Sequence, residues 1–171
     1  MQALLNLYLD ICLLRKGPQD LPMSQVLLKL SLTIYALSSW LILLVVTGPF
    51  DALLQALVDS ALLAAMTYGV LISARYSARF VQTLSALAGT GALLGVVALP
   101  IFIWIDQEMA RNGNPGLPRL FFLGLVVWNI AVIAHVLHHA LSVNRWVGLI
   151  YALGYFLVSM LIMQLLFPAS A

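Results

Sequence analysis

The chain has 171 residues, of which 63% are hydrophobic and 8% charged, with a mean hydropathy of +1.05. Eight Lys/Arg and six Asp/Glu cannot furnish the polar shell of a soluble domain this size. The scattered cations form no nucleic-acid patch, and one cysteine excludes a disulfide framework, which leaves an integral membrane protein.

The first 23 residues form a segment of their own. Met1 to Leu14 is apolar except for Gln2, Asn6 and Asp10, spaced four apart along one helical stripe. Fourteen helical residues reach only about 21 Å, too short to span a bilayer. A secretory signal places its cations before the apolar run, whereas Arg15-Lys16 follow it. The expectation is an amphipathic helix at the cytoplasmic interface or packed against the bundle. Gly17-Pro18 ends it, and Pro22 with Ser24 opens the next helix.

Residues 24–171 read as one transmembrane domain of five spans: Ser24 to Val46, Ala52 to Ala74, Phe80 to Ile105, Leu120 to Leu141 and Trp146 to Phe167. Each meets the roughly 20 apolar residues that a crossing helix needs. None shows the alternating polarity of a barrel strand, so the predicted fold is all-α. Pro49 suits the first turn of the second span, and Asp51 suits the positive end of its dipole. Pro100 is expected to kink the third span near its outer end.

Basic residues set the expected orientation. Arg15, Lys16, Lys29, Arg75, Arg79 and Arg145 fall on one side, and Arg111 and Arg119 on the other with Asp51, Asp106 and Glu108. The positive-inside rule then makes the N-terminus cytoplasmic and the C-terminus external, as in a multi-pass protein of the bacterial cytoplasmic membrane.

Three groups of residues within the spans invite a function. Asp59 is the one carboxylate inside a span, about 10 Å deep from the outer side. Ionised in hydrocarbon it would cost several kcal/mol. It reads either as a proton or ion site or as a helix tie, with Ser38, Ser39, Asn129 and Ser159 at comparable depth and Arg119 within reach. Small residues at intervals of four mark close-packing faces: Ala61, Ala65 and Gly69 in the second span, Gly91 and Gly95 in the third. Those faces serve packing within the bundle or docking of a partner helix. His135, His138 and His139 share one broad face of the fourth span near its cytoplasmic end. Such imidazoles can bind a metal or haem, but no second helix offers a histidine. No cofactor is therefore expected, and these residues read as interfacial histidines meeting headgroups or loop carbonyls. There is no Gly-x-Ser-x-Gly or His-Glu-x-x-His, and no catalytic grouping is expected.

The layout of five spans behind a short amphipathic lead resembles the Yip1-type family of small multipass proteins. Residues 8–22, Tyr-Leu-Asp-Ile-Cys-Leu-Leu-Arg-Lys-Gly-Pro-Gln-Asp-Leu-Pro, resemble the start of uncharacterised bacterial membrane proteins grouped with it. The Asp-Leu-Tyr-Gly-Pro type element of the eukaryotic members is absent, so their trafficking roles with small GTPases are not carried over. The resemblance implies a noncatalytic scaffold or accessory subunit in contact with lipid and with a membrane-protein partner or a second copy. The competing expectation is a small channel or transporter component using Asp59; a third is a haem- or metal-binding electron-transfer subunit using the histidines.

Overall fold

The computed structural model describes residues 2–168, so Met1 and the last three residues of the expected 24–171 domain lie outside it. Every regular element among the described residues is helical. Besides two short 3-10 turns at Pro18–Asp20 and Ser77–Arg79, the α-helices in chain order are α1 (Gln2–Cys12), α2 (Gln25–Leu43), α3 (Pro49–Ser73), α4 (Phe80–Ala110), α5 (Gly116–Leu141) and α6 (Arg145–Leu166). The last five are long and apolar enough to cross a membrane. Arg75, Arg79 and Arg145 gather at one end of the bundle, called here the basic end. Asp51, Asp106 and Glu108 lie at the other, the distal end.

Local chemistry explains the boundaries. Ser24 caps α2, its hydroxyl accepting from the Leu27 amide. Gly48 precedes α3 with Pro49 in its first turn and Asp51 beside it. The Asn144 side chain accepts from the Trp146 amide to begin α6. α5 ends on Ser142 in the left-handed conformation, and Arg79 Nη1 donates to the free Ala140 carbonyl at 2.7 Å and to Ser142 Oγ at 2.8 Å. That guanidinium ties the α3–α4 junction to the end of α5.

The largest departures from the sequence reading fall at the α4–α5 junction. α4 runs five residues past Ile105, because Gln107, Glu108, Met109 and Ala110 favour helix. It passes through Pro100 as one continuous helix. It stops at Arg111 and Asn112, where Asn112 turns left-handed and the Gly113 amide bonds back to the Glu108 carbonyl. α5 begins at Gly116, whose amide Asn114 accepts. The expected Asp106 to Arg119 loop is thus a tight turn of residues 111–115.

α4 is the most buried span and packs against α2 and α5; α6 lines up on α5, and α3 on α2. Gly91 and Gly95 lie where α2 meets α4. A Cβ at Gly91 would press on the Tyr35 ring, and one at Gly95 would meet Ser38 Oγ at 3.1 Å. On α6, Gly148 lets α5 approach, since a Cβ there would meet the Ala134 carbonyl oxygen at 2.7 Å. The stripe on α3 behaves differently. Ala61, Ala65 and Gly69 all face out of the bundle, and a Cβ on Gly69 would touch nothing. Of the two expected uses, packing within this chain does not hold for that stripe: Leu63, Thr67 and Leu71, four apart on another face, turn inward instead.

α1 is packed on the bundle. Tyr8, Ile11 and Cys12 are buried against α4 and α5, and the Tyr8 hydroxyl lies 2.7 Å from Ser31 Oγ of α2. The strand of chain that follows descends toward the basic end along α4 and α5. Trp128 Nε1 donates to the Cys12 carbonyl at 3.1 Å, His135 Nε2 meets the Lys16 carbonyl at 3.0 Å, and Gln82 donates to the Leu21 carbonyl at 2.7 Å.

Candidate intramembrane polar site

At mid-height three polar side chains arrive from three spans. Tyr35, Asp59 and Tyr155 each stand about ten residues, or 15 Å of rise, from the start of their own helix. α2 and α6 start at the basic end and α3 starts at the distal end, so the three meet near the middle. The Tyr35 hydroxyl donates to Asp59 Oδ2 at 2.6 Å. Ser39 flanks the carboxylate one helical turn beyond Tyr35, and Tyr155 approaches it from α6 with Ser159 beside its hydroxyl. Asp59 is only partly buried. Its depth exceeds the sequence estimate because α3 begins at Pro49, three residues before the expected Ala52.

Tyr35, Ser39, Asn129 and Tyr155 border a cavity of about 280 Å³, which Asp59 reaches through the Tyr35 hydroxyl. Gly91 and Gly95 supply its α4 wall, so all five spans contribute to the cavity or to the carboxylate beside it. On the basic side it ends on Leu63, Leu87 and Ile133, all buried. On the distal side its walls continue to Ile42, Ala98, Phe102 and Phe122, with the two phenylalanine rings edge to face at 4.9 Å. Asp51, Gln55 and Asp59 stand four apart on α3, a polar line from the distal end to the cavity.

Of the expected companions of Asp59, Ser39, Asn129 and Ser159 are at the site. Ser38 instead donates to the Tyr35 carbonyl in its own helix and packs on Gly95. Arg119 stays at the distal end, 3.8 Å from Met109 Sδ, and does not reach the carboxylate. Sequence reasoning missed Tyr35, Gln55 and Tyr155. The signal available was spacing: Tyr35 with Ser39, Asp51 with Gln55 and Asp59, and Tyr155 with Ser159 are all four-residue pairs.

The histidines lie apart, toward the basic end. His135 and His138 each direct one ring nitrogen at a backbone carbonyl, of Lys16 and Val143 respectively. A carbonyl only accepts, so those nitrogens carry the proton. His139 stacks between its neighbours with ring centroids 4.6 Å from each. Among the described residues no three His, Cys, Asp or Glu side chains group as metal ligands.

No family model matches the chain, and neither the curated proteins nor the solved structures contain a match to it.

Proposed function

We propose that the chain is a noncatalytic component of a membrane transport assembly that takes up a proton or small monovalent cation at Asp59. The basic end faces the cytoplasm of a bacterial cell, and the cavity extends toward the outer side. One observation carries the reading: the carboxylate sits at mid-membrane beside a cavity whose polar border is drawn from Tyr35, Ser39, Asn129 and Tyr155. A carboxylate bonded to a hydroxyl, beside a cavity lined by further hydroxyls and an amide, is a hard-oxygen environment suited to a small cation, and an intramembrane ionisable group marks ion and proton pathways. The buried Leu63, Leu87 and Ile133 make the path one-sided in this conformation. The deciding measurement is flux in vesicles reconstituted with the purified chain. Proton or Na⁺ entry present in the wild type and lost in Asp59→Asn, with helix content unchanged, supports the reading; equal flux in both overturns it.

A second reading is favoured by the outward stripe on α3. Ala61, Ala65 and Gly69 form a close-approach face with nothing of this chain against it. It fits a scaffold or accessory subunit that docks a helix of a membrane partner or of a second copy, the role the Yip1-type resemblance implies. The two readings are compatible, since a docked subunit can contribute an ion site to its assembly.

A further inference from the structure

A groove at the basic end has a divided character. It is about 280 Å³ in volume and runs between the turn after α1, the last turns of α5 and the start of α6. Leu14, Ala134 and Leu149 make one part apolar; His135, His138 and Arg145 make the other polar. Leu14 and Arg145 are exposed, so the groove is open along its flank. In a bilayer that flank faces lipid.

We propose that this groove seats an anionic phospholipid, its phosphate against Arg145 and an acyl chain along Leu14, Ala134 and Leu149. Charge complementarity is the argument. No carboxylate borders the groove, and the two nearest in sequence are already engaged: Asp10 pairs with Lys16 at 3.2 Å, and Asp20 accepts from the Gly17 amide at 2.8 Å. Arg145 opens α6, so its guanidinium and the positive end of that helix dipole favour the same anion. A planar guanidinium offers two parallel donors to a phosphate. His135 and His138 are held in place along the polar part by their bonds to the Lys16 and Val143 carbonyls. Exposed Trp146 stands next to Arg145, a residue type that favours the headgroup level. Basic pockets between transmembrane helices are the chemistry that holds phosphate headgroups at a membrane face.

The test uses the full chain, purified in mild detergent, delipidated and titrated with phosphatidylglycerol or phosphatidylcholine under native mass spectrometry. Phosphatidylglycerol is expected to remain bound at concentrations where phosphatidylcholine does not. Arg145→Gln is expected to weaken it about tenfold, the loss of one charge-assisted contact. Arg111→Gln, at the distal end, is expected to leave binding unchanged. Leu149→Trp fills the apolar part and is expected to displace the lipid while Arg145 remains. Soluble glycerol phosphate at millimolar concentration separates headgroup from whole lipid: failure to compete supports a site that needs the acyl chain. Full competition, equal retention of the two lipids, or unaltered phosphatidylglycerol binding in folded Arg145→Gln overturns the proposal.

Discussion

The ring of Tyr8 occupies the space that a side chain at Gly89 would fill, so α1 sits on α4 through the absence of a Cβ. Gly89→Ala is expected to lift the ring and lower stability by about 1–3 kcal/mol, the cost of overpacking a tight contact. Tyr8→Ala should rescue part of that loss in the double variant, since it vacates the space. Thermal unfolding in detergent of the two singles and the double measures the coupling. Additive losses would mean that the two residues do not share this contact.

Asp59 and Tyr35 can be separated by substitution. Tyr35→Phe keeps the ring against Gly91 and removes only the donor, with an expected loss of about 1 kcal/mol. Asp59→Asn keeps acceptor capacity at nearly the same size and should fold as the wild type. Asp59→Leu leaves the Tyr35 hydroxyl without its acceptor and should lose about 1–2 kcal/mol. Unfolding in detergent ranks the three, and a Leu variant as stable as Asn would show that the bond contributes nothing.

Topology is read by thiol labelling from outside intact cells. Native Cys12 is buried, and burial pushes its thiol up to about 11, so it should stay unlabelled in the folded protein. Asn114→Cys, in the tight turn at the distal end, is expected to react with an impermeant reagent. Ser77→Cys, beside Arg75 and Arg79, should react only after the membrane is opened. The reverse pattern would invert the orientation.

The α3 stripe offers a contrast between stability and association. Ala61→Leu and Gly69→Leu enlarge an outward face, so each should change monomer stability by no more than about 0.5 kcal/mol. If that face docks a helix, the same changes should abolish copurification of the partner or cross-linking of a second copy. Unaltered association in both variants would exclude the stripe as the contact.

The five spans were legible because length and apolarity alone identify a crossing helix. Their ends were less so: Gln107 and Glu108 look like loop by polarity yet continue α4, because helix propensity and the Asn112–Gly113 stop decide where it ends. Asp59 and Asn129 stood out as polar residues among apolar ones. Tyr35 and Tyr155 did not, because tyrosine counts as apolar bulk until its hydroxyl is placed beside a carboxylate. Which side of α3 faces the bundle was not legible either. A span apolar all round carries little amphipathic signal, and only contacts with α2 and α4 settle its rotation.

The groove that receives α1 and residues 13–21 is built from Gly89, Trp128, Gln82 and His135, all of which are synthesised much later than the segment they hold. α1 therefore leaves the ribosome with its buried face exposed and has to wait through the insertion of three spans before α5 completes its seat. Its closure is a late event in assembly that joins Cys12 and Lys16 to the penultimate helix. An apolar helix kept waiting in this way is the part of the nascent chain most in need of shelter by lipid or a chaperone.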